Sequence, residues 1–107
     1  MAERLGEDTF DERINACKRL ILVDFYSDSC IACKAISPVI GDIEDDYGEK
    51  LVVFRVNTGF SQGLAEKYEV LSNPTLMLIK NGQEVDRKVG LKKYPELSAW
   101  IDANLDY

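Results

Sequence analysis

The sequence predicts an α/β fold in which a central mixed β-sheet is flanked by helices on both faces. Three observations lead there. The stretch LILVDFY, residues 20–26, is apolar on both of its alternating faces, which marks a strand buried between two layers. Segments of helical periodicity alternate with this run and with further strand-like runs, the pattern of a sheet covered by helices. The length of 107 residues, 46% of them hydrophobic, is enough for one domain and too little for two that each bury an independent core, so residues 1–107 are read as a single domain.

Each element has its own local signal. Thr9 and Glu12 have the spacing of a capping box, and Phe10, Ile14 and Cys17 then recur at helical intervals, predicting a short amphipathic helix over 10–18. After the strand at 20–26, residues 31–48 read as a long helix with Ile36, Ile40, Ile43 and Tyr47 along one side and a kink at Pro38. LVVFRVN, 51–57, is a second buried strand, and 60–68 a short helix. TLMLIK, 75–80, is a strand that turns tightly at Asn81-Gly82 into QEVDRKV. Pro95, suited to a first helical position, opens a last helix that reaches Asn104. In that helix Trp100 falls among Leu97, Ile101 and Leu105, where it is expected to pack in the core.

Composition excludes several classes of function. With 19 acidic residues against 13 basic the net charge is −6, so a phosphate backbone or an anionic lipid surface would repel the chain. Nucleic acid and membrane are not expected partners. No run approaches the ~20 apolar residues of a membrane span, and the start, MAERLGED, is charged where a signal peptide is apolar. A soluble, cytoplasmic protein is expected. The three cysteines are odd in number and sparsely placed, unlike a secreted disulfide framework, so in a reducing compartment the close pair Cys30 and Cys33 suggests catalysis or metal binding.

The pair stands in SDSCIACKAISP, four residues past the end of a buried strand and at the start of a helix. Open α/β sheets gather functional groups at such places. Unpaired N–H groups and the helix dipole there favour a thiolate over a thiol, and Lys34 adds a cation. Thiolates so placed can have pKa values lowered from ~8.5 to roughly 3.5–7.5. Asp28, two residues before Cys30, works the other way. In a first helical turn Cys33 lies on the same side as Cys30 at about 5 Å between Cα atoms, a separation that permits a reversible disulfide.

At this point the sequence closely resembles the thioredoxin family. The stretch LVDFYSDSCIACKAISPVI is similar to the family's strand, active-site turn and kinked helix; FRVN, NPTLMLIKNG, the Val89-Gly90 pair and LSAWIDANL match further segments in order and spacing, over roughly residues 9–105. The resemblance implies a thioredoxin fold and a thiol–disulfide oxidoreductase in which Cys30 attacks a target disulfide and Cys33 resolves the mixed disulfide. It also implies a redox-active disulfide between them, no bound cofactor or metal, and two kinds of partner. These are disulfide-containing target proteins and an NADPH-dependent thioredoxin reductase that carries its own flavin. A monomer is expected.

Further roles come from the same resemblance. Asp24, an ionisable group inside an apolar strand, is implied to assist proton transfer at the second cysteine; the alternative is a strand-end carboxylate in solvent. Arg55 takes the place of a basic residue near that aspartate, or is an exposed strand cation. Pro74, after Asn73, matches a cis-proline facing the active-site turn. Ser29, Ile31, Ala32, Asn73, Pro74 and Gly90 are implied to line the surface where a substrate strand docks, although Gly90 can equally serve a tight turn. Cys17, on the apolar side of the first helix, is expected to be a buried core residue, the alternative being a regulatory thiol. Where the family has tryptophan before the first cysteine and Gly-Pro between the two, this chain has Ser29 and Ile31-Ala32, and Asn73 replaces an aliphatic residue. Ala32 carries an N–H that proline lacks, and its donation to the Cys30 sulfur is expected to make the couple more oxidising. Two other readings use the same residues. One is a metal or iron–sulfur module, for which the pair supplies two of the usual four ligands in a chain without histidine. The other is a non-catalytic interaction domain on the same fold.

Overall fold

The structure, a computed structural model, describes residues 2–105. Its elements in chain order are β1 (Glu3–Arg4), α1 (Phe10–Ala16), β2 (Leu20–Tyr26), α2 (Ile31–Tyr47), a 3-10 turn (Gly48–Lys50), β3 (Leu51–Asn57), α3 (Gln62–Lys67), β4 (Thr75–Lys80), β5 (Gln83–Val89) and α4 (Tyr94–Asn104). The strands form one five-stranded sheet in the order β1-β3-β2-β4-β5. β1 and β2 run parallel to β3, whereas β4 is antiparallel to both β2 and β5. The mixed sheet flanked by helices is the expected thioredoxin fold.

Alternation along the strands divides the interior into two cores. Leu20 and Leu22 of β2, Leu51 and Val53 of β3, and Leu76 and Leu78 of β4 pack with Ile36, Ile40 and Ile43 of α2 and with Leu97, Trp100 and Ile101 of α4. The intervening residues Ile21, Val23 and Phe25, with Phe54, Val56, Met77 and Ile79, pack with Phe10 and Ile14 of α1 and Leu64 of α3. Because side chains in a strand alternate with a period of two, Asp24, Arg55 and Asn57 fall on the α2 side. That parity positions the site.

Several local expectations change. Thr9 is the N-terminal cap of α1, but its φ of −115° and ψ of −18° are not the extended values that aim a cap side chain at the third helical N–H. Its hydroxyl bonds instead to the main chain of Gly6, so no capping box forms. α1 ends at Ala16, which leaves Cys17 in extended backbone beyond it. Cys17 is half-buried, not a core residue, and its sulfur lies 3.7 Å from the Arg19 carbonyl oxygen. α4 begins at Tyr94, so Pro95 is its second residue; the missing N–H is still one that has no partner within the helix. Trp100 packs in the core as expected, and its Nε1–H donates to Asp86 Oδ2 at 2.8 Å. Asn81 and Gly82 both have positive φ, 53° and 79°, as a two-residue hairpin turn requires. β1 has no sequence signal, being two exposed charged residues that pair with Phe54 and Arg55.

Candidate active site

β2 ends at Tyr26, and three residues of turn bring the chain to Cys30, which caps α2 with extended backbone. The Cys33 N–H donates to Cys30 Sγ at 3.0 Å, so the sulfur takes the place usually filled by a cap oxygen. The two cysteines are joined as a disulfide, with Cα atoms 5.2 Å apart. Cys30 is half-exposed, while Cys33 is buried at 3% exposure beneath the turn. The donor at Cys30 is therefore the Cys33 amide, which any residue at position 32 leaves in place. The expectation that Ala32 supplies it is corrected: a cap accepts from the second or the third helical N–H, and here the extended backbone of Cys30 aims its sulfur at the third.

The loop before β4 faces this turn. The Asn73-Pro74 peptide bond is cis, and the Asn73 carbonyl oxygen lies 3.5 Å from Cys30 Sγ. Gly90 donates its N–H to the Pro74 carbonyl at 2.9 Å and has φ of 93°, a value that L side chains rarely adopt. Ser29 and Ile31 are exposed, Ile31 at 84%, and Ala32 is half-buried. The Asn73 side chain does not point its amide outwards for a docking strand: Nδ2 donates to Thr58 Oγ1 at 3.1 Å, and Oδ1 is buried without a partner.

Beneath α2, Asp24 is fully buried. Its Oδ2 accepts a hydrogen bond from Arg55 Nε at 3.2 Å, and Oδ1 has no partner. Burial pushes the Asp24 carboxyl above the usual aspartate range, and the charge and hydrogen bond of Arg55 offset only part of this. The alternative of a solvent carboxylate is excluded. Arg55 is itself held with its guanidinium 4.0 Å over the Tyr26 ring. A cleft of about 200 Å³ opens beside it, with Cys33, Lys34 and Ser37 in its walls. Among the described residues no three His, Cys, Asp or Glu side chains come together as a metal-binding group.

Sequence reasoning misses two residues at the end of β3. Asn57 donates from Nδ2 to Asp28 Oδ1 at 3.2 Å, while its Oδ1 accepts from the N–H groups of Gly59 and Phe60. Thr58 bonds to the Tyr26 carbonyl through both its N–H and its hydroxyl. The run Asn57-Thr58-Gly59 carries an Asx-turn signal that could have found the first. Nothing local reports the second.

A dithiol able to close to a disulfide on the first turn of a helix exchanges electrons in pairs with other sulfur pairs, and the protein falls in the class of thiol–disulfide oxidoreductases. Comparison with known proteins narrows the class. The family model described as Thioredoxin matches residues 2–103. A thioredoxin of Rickettsia bellii is 34% identical over 105 residues, covering 98% of this chain and all of that protein. Thioredoxin 1 of Synechococcus elongatus is 32% identical over 98% of each chain, and a thioredoxin of Pseudomonas aeruginosa 36% identical over 91% of this chain and 90% of its own. The chain belongs to the thioredoxin family. Membership implies partners of two general kinds, a reductase and disulfide-containing targets. Among the described residues no helix is long and apolar enough to cross a membrane.

Proposed function

We propose that Cys30 attacks the disulfide of a target protein and Cys33 resolves the mixed disulfide, with Asp24 accepting the proton of Cys33. The Cys30 thiolate forms a bond to one target sulfur and displaces the other as a thiolate. Cys33, its proton passed to Asp24, then attacks the Cys30 sulfur, closing the Cys30–Cys33 disulfide and releasing the first target sulfur. Two electrons have gone to the target. An NADPH-dependent flavoprotein, a thioredoxin reductase, returns them. The observation that carries this division of labour is the contrast in access: Cys30 is half-exposed at the helix cap, and Cys33 is buried at 3%. Asp24 is supported by its burial on the same face of the sheet and by its raised pKa, which lets it take up a proton at higher pH than an exposed aspartate does. The target strand docks around Cys30 on Ser29, Ile31, Ala32, Asn73 and Gly90, with Pro74 buried and setting the course of the facing loop. The protein works as a monomer in a reducing cytoplasm, in keeping with its few cysteines.

An insulin-reduction assay tests the reading in two arms, one driven by dithiothreitol and one by NADPH with a thioredoxin reductase. Both should show accelerated precipitation of the insulin B chain. Turnover with dithiothreitol alone would remove the proposed reductase, and no turnover in either arm would overturn the reading.

A further inference from the structure

The segments on either side of Cys30 are tied together by adjacent side chains at the end of β3. Asn57 holds the turn through Asp28. Thr58 holds the opposite loop. Its hydroxyl has one proton, donated to the Tyr26 carbonyl at 3.2 Å, so it must accept the bond from Asn73 Nδ2 at 3.1 Å. The Asn73 side chain has no other hydrogen bond, since its Oδ1 is buried and unpaired. The main-chain carbonyl of the same residue is the group 3.5 Å from Cys30 Sγ.

We propose that Thr58 is a positioning residue for thiol exchange: through the Asn73 side chain it holds the Asn73 carbonyl against Cys30. The proposal rests on Cys30 being the attacking thiol. In the dithiol state a carbonyl oxygen placed there accepts a hydrogen bond from the Cys30 thiol and repels its thiolate. It opposes the Cys33 N–H, which favours the thiolate. Thr58 thereby restrains the nucleophile. The charged and titratable groups around the turn are the Cys33 thiol of the reduced state, Asp28, bound to Asn57, the exposed Lys34 on α2, and Asp24, Arg55 and Tyr26 on the strands below. Residues 57–61, 71–75 and 89–91 carry no titratable side chain. The Thr58 hydroxyl can thus be removed without changing any charge near Cys30.

The test is the rate of iodoacetamide alkylation of the reduced protein from about pH 5 to 9, a range bracketing the ~8.5 reference thiol, with the modified peptide identified by mass. Thr58→Val should move the Cys30 profile to lower pH, with alkylation at about pH 6 roughly two- to tenfold faster, the range that a net hydrogen bond is worth. Thr58→Ser keeps the hydroxyl and should match the wild type. Asn73→Ala cuts the same link from the other end, should reproduce the valine profile and serves if the valine variant does not fold. The double variant should add nothing to either single one. Valine and alanine profiles that superimpose on the wild type would overturn the proposal, as would a serine profile shifted as far as valine's. If the fast-reacting peptide in the wild type contains Cys33 and not Cys30, the attacking-thiol assignment itself fails.

Discussion

Replacing Asp24 by asparagine should stabilise the protein at neutral pH while slowing its turnover. The carboxyl is fully buried, with one oxygen bound to Arg55 at 3.2 Å and the other unpaired. Desolvating a carboxylate costs several kcal/mol, and a partly exposed arginine that makes one hydrogen bond offsets only part of it. The asparagine oxygen can still accept from Arg55, and its NH2 takes the place of the unpaired Oδ1, so an uncharged orphan replaces one that belongs to a charged group. A net gain of about 1–2 kcal/mol is therefore expected, raising Tm by roughly 5–10 °C for a domain of this size. The sign with pH follows from the raised pKa. The folded state holds the Asp24 proton to higher pH than the unfolded state, so wild-type stability from this group is full below the unfolded value of 3.8 and is lost as pH rises through the folded one. The advantage of Asp24→Asn should accordingly vanish in acid and grow towards neutrality. Thermal unfolding of both proteins from about pH 3 to 8 reads this directly, and insulin reduction by the variant should be slower. A variant less stable than wild type at neutral pH, or a stability difference that does not change with pH, would refute the reasoning.

Three further outcomes are expected. Cys33→Ser should accumulate mixed disulfides with targets on a non-reducing gel and Cys30→Ser none; the reverse pattern would exchange their roles. Ala32→Pro removes no donor to the Cys30 sulfur, because that donor is the Cys33 amide. Its potential against glutathione should move by less than about 15 mV, half of the ~30 mV that corresponds to 1.4 kcal/mol, and a larger drop would restore the role of the Ala32 N–H. Gly90→Ala places a side chain at φ of 93° and should lower stability by about 1–2 kcal/mol in urea unfolding. No loss there would mean that the loop relaxes freely.

The buried strands are legible because a strand covered on both faces must be apolar throughout, and β2 is buried at every position. Against that run Asp24 stands out as an anomaly. Its partner could be read only as an even choice, since the alignment of Asp24 with Arg55 depends on the register between β2 and β3. β1 is hidden because two exposed charged residues carry no alternation, and its existence depends on the edge that β3 offers. The capping box fails because residue identity at the right spacing does not fix the backbone angles of Thr9. The cysteine pair could be found from spacing, but which amide faces Cys30 required the cap geometry. Thr58 and Asn73 lie 15 residues apart in different loops, and only the folded sheet makes them neighbours.

The sheet acts as a partition between chemistry and support. Asp24, Arg55 and Cys33 belong to the α2 side, whereas the side chains of Phe10, Ile14, Leu64, Val23 and Phe25 fill the core on the other face of the sheet. Overall stability can therefore be tuned from one face of the molecule while the reactive sulfurs keep their surroundings. Substitutions beneath α1 and α3 should alter how long the protein survives heating far more than how fast each surviving molecule turns over.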